Sequence, residues 1–121
     1  MEIKLYTLRA VRHYYDNSEK TYYFATEEER DQAYNNVYDE HTKRSSYKFH
    51  QDFIRKELSG EAFNVRYSFN PYTFLSYYYE KGERTITISD CEINILEDQD
   101  KRSSEEFSKF VGSINEINER D

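Results

Sequence analysis

Phe63, Val65, Tyr67 and Phe69 alternate with Asn64, Arg66 and Ser68, the period of a half-buried β-strand. Asn70-Pro71, which holds the only proline, ends it. Residues 3–12 read as another strand, with Ile3, Leu5 and Val11 on one parity and Tyr6, Leu8 and Ala10 on the other. Asp16-Asn17-Ser18 supplies turn chemistry, and the run TYYFA at 21–25 is β-branched and aromatic. The two segments therefore pair as an antiparallel hairpin.

The period then changes. Thr26 is placed to cap a helix, Glu29 to complete a capping box, and Glu27, Glu28 and Glu29 occupy the first turn, where the helix dipole favours acids. Ala33 and Val37 share a face, with Tyr34 and Tyr38 beside them, which carries this helix to about His41. Residues 42–47 are a polar break. Phe49, Phe53, Ile54 and Leu58 recur at helical spacing and predict a second helix that Ser59-Gly60 closes. Residues 72–80 and 84–96 predict a second hairpin about Lys81-Gly82, with a bulge near Ser89-Asp90 that reconciles the parity of Ile86 and Ile88 with that of Ile93 and Ile95. Residues 97–102 read as a charged linker. Ser103 to Glu106 form a second capping box, and Phe107, Phe110, Val111, Ile114 and Ile117 follow at helical period. The pattern predicts one α+β domain over residues 1–121: an antiparallel sheet of about five strands with three helices, in the order ββααββ(β)α.

Composition makes that core feasible. Only 36% of the 121 residues are hydrophobic, but 17% are aromatic, with eight Phe and thirteen Tyr. Each such ring buries on the order of 150–250 Å², and a disordered chain would lack them. The single cysteine, Cys91, excludes an internal disulfide and a zinc site built from several thiolates. No apolar run reaches the roughly 18 residues of a membrane span, and the first residues lack the features of a signal peptide. The expected location is the cytoplasm of a host bacterial cell. Heavy use of Tyr, Asn, Lys, Glu and Ile fits an AT-rich bacterial or phage genome.

The search for catalytic chemistry is mostly negative. Three glycines, Gly60, Gly82 and Gly112, form no phosphate-cradling loop, and neither a nucleophile elbow nor a zinc-protease helix motif occurs. Asp90 and Glu92 flank Cys91 and would raise its thiol pKa, which suits a small buried side chain better than a nucleophile. His13, His41 and His50 are scattered, and His41 sits near a helix C-terminus, where a cation is favoured. Metal binding would require two of them to converge with an acid such as Asp52 or Glu40. Asp90 and Glu92, on one strand face, could hold Mg²⁺ in a hydrolase, or could be a solvated face. No cofactor is expected, and the chain does not read as an enzyme.

Charge and tyrosine point towards partners. The last 42 residues hold 12 acids against 6 bases, so they account for −6 of the net −7. Tyr77-Tyr78-Tyr79 leads into them; consecutive tyrosines in a strand address both sheet faces. Either helices sandwich the sheet and the tyrosine hydroxyls reach the edge of the core, or one face is core and the other exposes an aromatic contact patch of the kind enriched at interfaces. Stacking of single-stranded nucleic acid on such a face is opposed by the negative charge. Lys43, Arg44, Lys48, Arg55 and Lys56 form one basic cluster, either a solvated helix face or a surface for RNA or an acidic protein. Glu105 and Glu106 are explained as helix-start residues, and Glu80 and Glu83 as the flanks of a turn. Asp90, Glu92, Glu97, Asp98 and Asp100 have no such explanation, and with Tyr77, Tyr78 and Tyr79 they form the candidate partner surface.

In size, charge and the junction Tyr22-Tyr23-Phe24-Ala25-Thr26-Glu27-Glu28-Glu29, the chain resembles small acidic accessory proteins of phages and mobile elements, including anti-CRISPR proteins and DNA-mimic inhibitors. That resemblance implies a non-enzymatic stoichiometric inhibitor of a host protein with a basic nucleic-acid-binding groove, without membrane or direct nucleic-acid binding. Two other readings stand beside it: a small nucleic-acid-binding or regulatory module using residues 43–56, and a metal-dependent hydrolase around Asp90, Glu92 and a histidine. An exposed tyrosine face would also suit a homodimer.

Overall fold

The structure, a computed structural model, describes residues 1–14, 17–43, 50–70, 72–89 and 93–119, with the backbone alone at 50, 69, 70, 93–95 and 115–119. Five strands and two helices follow one another: β1 (Glu2–His13), β2 (Asn17–Phe24), α1 (Glu27–Thr42), β3 (His50–Lys56), β4 (Ala62–Asn70), β5 (Thr73–Thr87) and α2 (Ile93–Glu119). The strands form one antiparallel sheet in the order β2-β1-β5-β4-β3. The α+β class and the five-stranded antiparallel sheet match the sequence expectation. The number of helices does not, because the described residues form two and not three.

Alternation sorts the sheet into two faces. Leu8 and Ala10 of β1, Tyr22 and Phe24 of β2, Phe63, Val65 and Tyr67 of β4, and Leu75, Tyr77 and Tyr79 of β5 point to one side, where Tyr34 and Val37 of α1 and Phe107 and Ile114 of α2 close over them. The rings interlock edge to face: Tyr22 meets Phe107 at 4.9 Å between centroids, and Tyr34 meets Phe63 at 5.2 Å. Such pairs add about 0.5–1.5 kcal/mol each beyond simple burial. Leu5, Arg9, Val11, Tyr78, Arg66 and Phe74 lie on the opposite side.

Three expectations fail, each for a local reason. Residues 50–56 form β3 rather than a helix. A bulge between Gln51 and Phe53 lets Gln51 and Ile54 both face the core, so an inward spacing of three arises inside a strand. Leu58 lies in the following turn, fully exposed, and not on a buried helix face.

Nor does β5 turn at Lys81-Gly82. It runs unbroken for 15 residues and pairs with β1 from Glu2↔Thr87 to His13↔Ser76. Gly82 lies opposite Thr7, and a Cβ there would sit 2.6 Å from Thr7 Oγ1. This glycine therefore reports a close approach within the sheet rather than a turn.

Finally, the expected long strand arm to residue 96, the charged linker 97–102 and the capping box at Ser103 all give way to α2, from Ile93 onward. Leu96, Asp100, Ser103, Phe107, Phe110 and Ile114 recur every three or four residues and form its inward stripe. Asp100 and Ser103 are polar members of that stripe, and Ser103 is buried. The proposed bulge at Ser89-Asp90 falls partly outside the described residues.

Candidate interaction surface

α1 begins as its sequence requires. Thr26 is extended, at φ −124 and ψ 151, and its Oγ1 accepts a 3.2 Å hydrogen bond from the Glu29 amide. The inner stripe of α1 is Arg30, Tyr34, Val37 and His41. Arg30 is buried, and its Nη1 donates to the Gly82 carbonyl at 2.9 Å while Nε and Nη2 reach Asp31 Oδ1 at 3.1 and 3.0 Å. Lys81, rising from β5, stands 3.2 Å from the same carboxylate. Burial works to raise the Asp31 pKa, but hydrogen bonds from Arg30 and Lys81 outweigh it and hold the group below its usual value.

At the other end of α1 a histidine is enclosed by tyrosines. His41 is fully buried, with Nδ1 2.7 Å from the Tyr67 hydroxyl and Nε2 2.8 Å from the Tyr79 hydroxyl. Gln51 Nε2 donates to the His41 carbonyl at 2.8 Å and to the Tyr67 hydroxyl at 3.3 Å. A neutral imidazole satisfies this geometry, donating from one nitrogen and accepting at the other. Burial pushes the Tyr79 phenol well above its ordinary pKa, and the neighbouring Tyr77 and Tyr67 add to that. The sequence reads His41 as a cation at a helix end or one ligand of a metal site, whereas it is a polar anchor inside the core.

The expected partner residues separate. Tyr77 and Tyr79 are 2% and 0% exposed and belong to the core, because their parity turns them beneath the helices. They cannot meet a partner. Tyr78 alone faces the other way, half-buried under the Arg9 guanidinium at 5.6 Å, with its hydroxyl 3.0 Å from Glu80 Oε2 and 3.4 Å from Glu57 Oε1. Burial first, then hydrogen bonding to Glu80, pushes its pKa up to about 12. Asp100 is half-buried, and its Oδ1 accepts from the Ala25 amide at 2.8 Å, which ties α2 to the end of β2. Glu97 and Asp98 are exposed on α2. Asp90 and Glu92, and with them the expected Mg²⁺ or hydrolase site, lie outside the described residues.

The basic cluster also resolves only in part. Arg44 and Lys48 lie outside the described residues. Lys43 caps the C-terminus of α1, the Lys56 ammonium sits 4.1 Å from the Tyr38 ring centroid, and Arg55 packs over Phe53 at 5.1 Å. Among the described residues no group of three His, Cys, Asp or Glu is arranged to hold a metal ion, and no helix is long and apolar enough to cross a membrane.

Charge divides by layer rather than by halves of the chain. α1 carries six acids and one arginine, and α2 carries seven acids and three bases, so the two helices sum to −9. The rest of the chain is +2, which restores the net −7. Lys20 reaches Glu106, and Lys81 reaches Asp31, from the sheet below. Among the described residues Glu28, Asp39, Glu97, Asp98 and Glu105 are exposed on the helices without an ion-pair partner.

Between the helices runs an open groove of about 400 Å³ floored by Phe24. Its α1 wall is Glu29, Gln32, Ala33 and Asn36, a single two-turn stripe. The α2 wall is Ser104, Phe107, Ser108 and Val111, a stripe of the same spacing. Burial, with the charge of Asp100 added, raises the Glu29 carboxyl pKa above its usual value. Compared with known proteins, the chain matches no family model, no curated protein and no solved structure.

Proposed function

We propose that this protein is a non-enzymatic stoichiometric inhibitor, of the anti-defence kind, that docks its acidic helical face on the basic groove of a host nucleic-acid-processing protein. The observation that supports it is the segregation of charge, −9 on the two helices and +2 on everything else. Fields of that sign steer a basic partner and repel phosphate, so nucleic acid is displaced and not bound. The contact residues of this reading are Glu28, Asp39, Glu97, Asp98 and Glu105. Tyr77 and Tyr79 drop out of it.

The test is competition. Host proteins retained on the immobilised protein at low salt and released at high salt are assayed for nucleic-acid binding with and without it. One equivalent should abolish that binding, and a variant carrying Glu28→Gln, Glu97→Gln, Asp98→Asn and Glu105→Gln should not. Equal competition by the neutralised variant, or none by the wild type, overturns the reading. A gel shift of labelled single-stranded and duplex probes by the protein alone would favour instead a nucleic-acid-binding module.

A further inference from the structure

Two helices on one sheet face ordinarily pack at 8–10 Å and fill the space between them. Here Ala33, Ser104 and Ser108 supply little side chain, and a groove of about 400 Å³ is left over Phe24. That volume lies within the range of pockets that take ligands. We propose that this groove seats an extended cationic segment of a partner protein, with aliphatic stems against Phe24, Phe107 and Val111 and cationic heads at Glu29, Gln32 and Asn36. This deepens the inhibitor reading and rests on it, since it names what the acidic face grips.

Three features select that occupant. The floor is apolar, so a hydrated ion gains nothing by entering. The walls present amide and hydroxyl oxygens, which accept hydrogen bonds from a guanidinium or ammonium. The flanking helices set a negative field, which excludes anionic ligands and leaves arginine and lysine as the side chains with both a long apolar stem and a positive head. Glu29 adds a local term. Its carboxyl is exposed at the rim of the groove, with its pKa raised by desolvation and by the charge of Asp100, and an incoming cation relieves that repulsion.

The probes are three fluorescein-labelled octapeptides: alternating Arg-Leu, alternating Arg-Gly, and alternating Glu-Leu. Each is titrated by fluorescence anisotropy into the wild type, Ser108→Phe, Ser104→Leu, and the neutralised variant Glu28→Gln/Glu97→Gln/Asp98→Asn. The wild type should bind Arg-Leu at least about tenfold more tightly than Arg-Gly, a difference of about 1.4 kcal/mol, and Glu-Leu should not bind. Ser108→Phe and Ser104→Leu keep every charge but fill the groove. Each should lose that tenfold preference while retaining the Arg-Gly affinity, with far-UV circular dichroism and urea midpoint unchanged.

Arg-Leu affinity unaltered in both filled variants overturns the groove. So does equal binding of Arg-Leu and Arg-Gly by the wild type, or binding of neither. If the neutralised variant still loses affinity for both cationic peptides, the acidic face survives as a docking surface without the groove, and the competition assay decides that separately.

Discussion

Replacing His41 with leucine removes the centre of the buried Tyr67–His41–Tyr79 network and should destabilise the protein by about 3–5 kcal/mol. The estimate has three parts. The Tyr79 hydroxyl loses its 2.8 Å partner in a fully buried site, which costs about 1–3 kcal/mol. The Tyr67 hydroxyl keeps Gln51 at 3.3 Å, so its share is about 1 kcal/mol. The imidazole also packs against Tyr77 at 4.7 Å and Phe63 at 6.3 Å between centroids, and those ring contacts contribute about another 1 kcal/mol. Against a typical domain stability of about 5–15 kcal/mol, that is a large fraction.

Urea unfolding followed by circular dichroism measures the change, with the slope m held constant between variants. The diagnostic step is the second substitution. In the His41→Leu background, Tyr79→Phe deletes the stranded hydroxyl and should recover about 1–2 kcal/mol. In the wild-type background the same change should cost about 1 kcal/mol, because it strands the imidazole nitrogen instead. The sign of Tyr79→Phe therefore reverses between backgrounds. A His41→Leu effect under about 1 kcal/mol, or Tyr79→Phe costs that simply add, would refute the network as an interior anchor.

Other outcomes follow from single contacts. Gly82→Ala should cost about 1–3 kcal/mol by overpacking, since its Cβ meets Thr7 Oγ1 at 2.6 Å, and Thr7→Ala in the same chain should restore most of the loss in a thermal melt. Asp100→Ala should lower Tm by a few degrees, equivalent to about 1 kcal/mol, through loss of the bond from the Ala25 amide, whereas Asp100→Asn keeps an acceptor and should recover most of it. Alkaline titration tests the phenols. Burial pushes Tyr34 up to about 12, and Tyr78 reaches about 12 as well. A phenol whose folded pKa lies above its unfolded value of about 10 is held protonated by the fold. Stability should thus be level below pH 10 and fall as pH rises from 10 through about 12, with phenolate absorbance for these groups centred near pH 12 while the protein stays folded.

Where the sequence was legible, one period held over a whole element. The 63–69 alternation, the hairpin of residues 3–12 with 21–25, and the capped start at Thr26 all reappear. Where it misled, a polar or small residue stood at a position whose role came from a distant part of the chain. Asp100 and Ser103 interrupt an inward stripe because Asp100 serves the Ala25 amide, and so a 27-residue helix reads as strand, linker and capping box. Gly82 imitates a turn because Thr7, 75 positions earlier, needs its space. The bulge in β3 imitates a helix because it inserts one residue between inward positions. Of the candidate surface, the acidity was visible and its geography was not. Tyr77 and Tyr79 follow strand parity into the core, while α1, numerically hidden by the basic residues around it, adds −5 to the −4 of α2.

The pairing of β1 with β5 also sets a timetable for folding. Residues 2–13 form an interior strand of the sheet, yet one of their two neighbours is the segment 76–87. Closing a loop of that length before any reward arrives raises relative contact order and slows the search. During synthesis the β1–β2 hairpin has only α1 to cover its Leu8, Tyr22 and Phe24 side chains until β5 and then α2 have emerged. A nascent chain stalled before residue 73 should therefore be captured by chaperones that bind exposed apolar strands, and one stalled after α2 has cleared the ribosome should not.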